Sequence, residues 1–150
     1  MATKYSNLTD SSGGAAVIAG AIHAGLNVRV GVHSLNGTSL SAGDVLQMVP
    51  VPHGATVVDT ILQTKCDKVA FTVGDGDDAD RYIVTTTMSD SAAAQHAQTG
   101  VGHQYDISDD VADDLRYDTV DVTVGTVTSA TSGGSVILTV LYHMEDGDPA

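Results

Sequence analysis

The residues best equipped for chemistry sit in one acidic run, Gly74-Asp75-Gly76-Asp77-Asp78-Ala79-Asp80-Arg81. Carboxylates this close together are hard oxygen donors, the kind a calcium ion takes. Asp75, Asp77 and Asp78 are therefore the candidate metal ligands. A helix–loop–helix calcium site, however, needs acids at alternate positions, a central glycine and a glutamate at the twelfth place. Counted from Asp75, the twelfth residue is Thr86. The competing reading is a hairpin tip, where Asp and Gly supply the left-handed and capping geometries of a tight turn. The failed spacing favours the turn, and no metal or cofactor is expected. A second acid cluster, Asp109-Asp110 with Asp113-Asp114, reads as a solvated face or a helix start.

Other chemistries have less support. The six histidines (His23, His33, His53, His96, His103 and His143) form neither a His-Glu-x-x-His nor a His-x-His pair, so zinc hydrolysis lacks its motif. His96 and His103 share one segment and read as surface polar residues. No Gly-x-Ser-x-Gly elbow, phosphate-cradling Gly-x-x-x-x-Gly-Lys loop or Gly-x-Gly-x-x-Gly fingerprint occurs. Cys66 is the single cysteine, which rules out an intrachain disulfide and a cysteine-based metal site. It reads as a small buried hydrophobe. Abundant Asp does not by itself single out a glycosidase pair. A sugar-binding groove usually carries exposed aromatics, and this chain has one Phe, five Tyr and no Trp. The chain is read as non-enzymatic.

Charge narrows the partners. The net charge is −13, from 19 acids against 6 basic residues. Such a surface repels phosphate backbones and anionic lipid, so neither nucleic acid nor membrane is an expected partner. The start, Met1 to Asp10, lacks the basic and apolar regions of a secretory signal, and Ala15–Ile22 is too short to span a bilayer. The expectation is a soluble chain made in the cytoplasm. Glu145 is the one glutamate. Asp prefers turns and caps where Glu prefers helices, so the bias suits a chain that turns often.

The elements that must carry these residues are strands. Short β-rich runs recur at Ala15–Ile22, which is apolar and small, and at Asn27–His33, Asp44–Val49, Ala55–Thr64, Lys68–Val73, Arg81–Met88, Tyr117–Val127 and Ser135–His143. Several alternate with period two: Val28, Val30 and Val32 oppose Arg29 and Gly31, and Val120, Val122 and Val124 oppose Asp121, Thr123 and Gly125. Such alternation means one buried and one wet face. Breakers separate the runs at Asn36-Gly37, Pro50 to Gly54, Gly74 to Asp78 and Ser132 to Gly134. The one helix candidate is Asp90–Gln98, capped by Asp90 or Ser91. About eight strands at this spacing predict an all-β, antiparallel β-sandwich of jelly-roll type. Residues 1–14 form a polar, flexible N-terminal arm, 15–145 the sandwich domain and 146–150 a C-terminal tail.

One segment also carries a resemblance. Residues Asp44–Met88 contain an apolar strand, then Val-Pro-His-Gly-Ala-Thr-Val-Val-Asp, then Cys-Asp-Lys-Val-Ala-Phe-Thr-Val-Gly-Asp-Gly-Asp-Asp-Ala-Asp-Arg-Tyr-Ile. This resembles the small virion proteins of tailed phages that decorate or cement the head. It covers about a third of the chain. The resemblance implies a jelly-roll or related sandwich on the capsid surface, bound to major capsid protein and to itself, as a trimer or dimer; strand edges that need pairing and the gain from several linked contacts favour the homotrimer over the dimer. It implies no catalytic residue. In that setting the arm, anchored by Lys4, Tyr5 and Leu8, is expected to reach a neighbouring subunit by adding a strand. Two alternatives stand beside it: a calcium-dependent carbohydrate-binding sandwich using Asp75, Asp77 and Asp78, and a tail or head-fibre component of the virion.

Overall fold

The computed structural model describes residues 3–5, 25–36, 39–66, 68–88, 94–104, 117–128 and 133–144. Among them are nine strands: β1 (Thr3–Tyr5), β2 (Gly25–Ser34), β3 (Val45–Pro52), β4 (Ala55–Thr64), β5 (Val69–Gly74), β6 (Ile83–Met88), β7 (Ala94–His96), β8 (Tyr117–Val127) and β9 (Ser135–Met144). They form two sheets, ordered β1-β3-β8-β5-β6 and β2-β9-β4-β7. The antiparallel ladders β2–β9, β3–β8, β4–β7 and β5–β6 nest inside one another. The chain from β2 to β9 is thus one long hairpin rolled into two four-stranded layers, the double-sheet jelly roll. β1 adds a fifth strand, parallel to β3, with Tyr5 opposite Gln47.

The core lies between the layers. Leu46, Val49, Phe71, Val73, Val120 and Val122 face inward from the five-stranded sheet, and Val57, Leu62, Val136, Leu138 and Val140 from the four-stranded one. With Phe71 as the one phenylalanine, branched aliphatics fill the space, and they suit a pleated surface. Cys66 is among the buried residues. The expected sandwich is present, and β4 and β8 have the limits read from sequence.

Three departures have physical causes. The helix expected at Asp90–Gln98 is, in its described part, the strand β7: Ala94, Gln95 and His96 pair with Gln63, Leu62 and Ile61. The Ala97 amide continues the contact, donating to the Thr60 carbonyl at 2.9 Å. The edge of β4 supplies backbone partners, and tertiary pairing overrides the helical preference of alanine. Second, bulges at Met48 and Val58, each left out of its ladder's register, switch the buried parity within β3 and β4. Ala55 and Val57 face the core before the bulge, Thr60, Leu62 and Thr64 after it. Third, β2 turns its apolar side outward. Leu26, Val28 and Val30 are exposed, whereas Gly31 is buried. The strand Ala15–Ile22 and Leu8 of the arm lie outside the described residues.

Candidate interaction surface

The acidic run forms the connection between β5 and β6. Asp75 is buried and organises it. Its Oδ1 accepts from the amides of Asp77 at 3.1 Å and Asp78 at 2.9 Å, the side-chain-to-backbone pattern of an Asx turn. Its Oδ2 takes the Arg81 Nε at 2.6 Å, and Arg81 Nη2 lies 3.4 Å from Oδ1. A Cβ at Gly74 would fall 1.9 Å from the Asp78 carbonyl oxygen, so the loop closes only over glycine. Asp77 and Asp80 point to solvent and Asp78 is half-buried. The carboxylate best placed for a metal is thus already engaged by a guanidinium and two amides. Among the described residues, no group of three or more His, Cys, Asp or Glu side chains is arranged to hold a metal ion.

Arg81 also approaches His103, with Nη1 to Nδ1 at 3.5 Å, and His103 Nε2 stands 3.8 Å from Asp75 Oδ2. The segment after β7 ties this end of the sandwich together. The Gln98 amide donates to the Tyr82 carbonyl, the Gly102 amide to the Val57 carbonyl, and the Val57 amide to the His103 carbonyl. His96 lies elsewhere, with Nδ1 2.9 Å from Asp59 Oδ2. The two histidines that share a stretch of sequence therefore serve different carboxylates.

A third acidic feature was not singled out in the sequence. Asp121 sits mid-β8 between Gln47 of β3 and Gly74 of β5. It is buried, with Oδ1 unpartnered. Burial is the main cause that pushes its carboxyl up to about 7, and the charges of Asp118 and Asp75 add to the effect. Asp118 is raised as well, again chiefly by burial. No cationic side chain offsets this pair in the way Arg81 offsets Asp75, among the described contacts.

The remaining feature is the outer face of the four-stranded sheet. Opposite residues of an antiparallel ladder share a face. Val28 lies opposite Leu141, Val30 opposite Thr139 and Val32 opposite Ile137, while Ile61 lies on the other side of Thr139. An aliphatic stripe thus crosses β2, β9 and β4. Its cause is on the inner side of β2. A Cβ at Gly31 would lie 2.4 Å from the Met48 carbonyl oxygen, so β2 presses directly on the bulged backbone of β3. Arg29 flanks the contact, with Nη1 3.4 Å from the Pro50 carbonyl and its guanidinium 5.9 Å from the centre of the Tyr142 ring. A valine has no room where Gly31 stands, so the valines of this strand must face outward.

Lys4 and Tyr5 are in β1 and pair with Leu46 and Gln47. The two sheets and nested hairpins define a jelly-roll module with loop-borne ion pairs and an exposed aliphatic face. No protein-family model matches the chain, and no curated protein matches it. Solved structures do. The chain is similar to one in the capsid of Ralstonia phage GP4, at 16% identity and a TM-score of 0.73, covering 97% of this chain and 99% of that one. It is also similar to a chain of the cyanophage Pam1 capsid asymmetric unit, at 20% identity and a TM-score of 0.66, covering 84% and 89%. At these identities the shared property is the fold.

Proposed function

We propose that this chain is a structural protein of a tailed-phage virion: a decoration or cement protein that sits on the capsid surface and binds major capsid protein. It acts as a homotrimer and without catalysis. The observation that carries the reading is the near end-to-end likeness to a chain of the Ralstonia phage GP4 capsid. Jelly rolls also host lectins and cupin-type enzymes, so fold alone does not choose among functions. The site chemistry supports the choice. Asp75, the natural calcium ligand of the sugar-binding alternative, is spent on Arg81 and two backbone amides.

Cementing a shell asks for rigidity, solubility before assembly and adhesive surface. The two-layer aliphatic core meets the first requirement. The charge of −13 meets the second and disfavours nucleic acid and anionic membrane as partners. For the third, the arm residues Lys4, Tyr5 and Leu8 are the proposed contacts with a neighbouring subunit. Thr3–Tyr5 pairs along β3 of its own chain, which makes β1 the outer edge of the five-stranded sheet, an edge to which a strand of a neighbouring subunit can add. Synthesis in the host cytoplasm precedes docking on the head.

The test is quantitative mass spectrometry of purified virions together with an electron-microscopy map. The reading requires a copy number set by capsid symmetry and density for the sandwich on the head. Trace amounts, or density confined to a tail or fibre, would overturn the cement assignment.

A further inference from the structure

We infer that the outer face of the four-stranded sheet, built on the outward valines of β2, is the surface against which a second copy of this chain packs. The inference rests on the self-associating virion protein proposed above and names the interface. Leu26 is 61% exposed, Val28 56%, Val30 43% and Val58 38%. With half-buried Ile137 and Leu141 beside them, the apolar area exposed on this face is on the order of 400 Å², the size at which a patch marks an interaction site. One side of a standard interface buries about 800 Å², a little over half of it apolar. The face therefore supplies roughly the apolar share that one side of a stable contact needs.

Charge identifies the occupant. The chain carries −13, so two copies repel wherever their carboxylates approach. Among the described residues, the strands of this sheet hold one carboxylate, Asp59, and His96 lies 2.9 Å from it. Arg29, the one Lys or Arg on these strands, reaches the Pro50 carbonyl on the other sheet. The other described acids lie in the loop before β3, in the β5–β6 connection and on β8. A basic partner would be drawn to those acidic surfaces. Among the described residues this face carries one carboxylate, Asp59, beside His96, so a chain this acidic can meet an equally acidic chain here with little like-charge repulsion. The inverted β2 presents its valines outward, because a Cβ at Gly31 would meet the Met48 carbonyl on the inner side.

The test measures the mass of the full chain by light scattering and sedimentation, for wild type, Val28→Asp/Val30→Asp, Val58→Asp and the control Val84→Asp. Val84 is 43% exposed on β6, in the other sheet. Wild type is expected at a multiple of 15.3 kDa. A carboxylate buried without a partner raises the dissociation constant roughly 100-fold or more, so the β2 and β4 variants run as folded monomers by circular dichroism while Val84→Asp keeps the wild-type mass. If the double variant fails to fold, Val58→Asp decides. A monomeric wild type, or folded β2 and β4 variants that keep its mass, would overturn the inference. Virion incorporation separates the two claims. A chain that is monomeric in solution yet abundant on heads sinks this interface and leaves the shell reading standing; a multimer absent from heads does the reverse.

Discussion

Replacing Asp121 by asparagine isolates the cost of one buried carboxylate. Its carboxyl is pushed up to about 7, with burial the leading cause. That is roughly three pH units above the ordinary value, and each unit corresponds to about 1.4 kcal/mol. Ionising Asp121 in the native chain therefore costs about 4 kcal/mol more than in the unfolded one. Between about pH 4 and pH 7 the unfolded chain has released this proton while the native chain still holds it. The native state binds more protons in that window, so its stability falls as pH rises, and the full penalty is present above about pH 7. Asparagine keeps the shape without the charge. Asp121→Asn is expected to be more stable than wild type by up to about 4 kcal/mol at pH 8 and to match it within about 1 kcal/mol at pH 4. Urea unfolding at both pH values measures this as a midpoint shift on the order of 1–2 M at pH 8 only. The other acids largely cancel in the difference, and protein concentration is held fixed so that self-association does not enter. An advantage of equal size at both pH values, or none at pH 8, would refute the claim that a buried charge sets this term.

Three further outcomes follow from the geometry. Gly31→Val drives a side chain into the Met48 carbonyl and is expected to destabilise by about 3 kcal/mol or more, since overpacking against backbone has no easy relief; the melting temperature reads it. Asp75→Ala removes the acceptor of two loop amides and of Arg81, with an expected loss of about 3 kcal/mol. The control Asp77→Ala, on an exposed residue, should shift stability by no more than about 0.5 kcal/mol. Calcium or EGTA should leave the melting temperature unchanged, because a metal bound only to the native state would raise it; a rise with calcium that Asp75→Ala abolishes would revive the sugar-binding alternative.

Strand existence was legible because the chain is dense in β-branched residues and punctuated by Gly, Pro, Asn and Asp. Ala55–Thr64 and Tyr117–Val127 emerge with the same limits in sequence and structure. The hairpin character of Gly74 to Arg81 was legible too, since glycine and aspartate are turn formers and the calcium-loop spacing fails there. The role of Asp75 within that run was not. It depends on Arg81 folding back across the loop and on His103, which is 22 positions beyond Arg81. His96 likewise meets Asp59 across 37 positions, and no local pattern records that distance.

Alternation shows that a strand has two unlike faces, but not which of them meets the core. In β8 the rule holds on the valine side, with Val120, Val122 and Val124 buried, yet Asp121 on the opposite side is buried as well. In β2 the rule inverts, because the bulged backbone of β3 stands where an inner side chain of β2 would go. Composition and local punctuation are properties of neighbours along the chain, so they specify strands, turns and net charge. Register, bulges and the approach of one sheet to another arise between residues far apart in sequence, and those contacts settle which valines are left exposed.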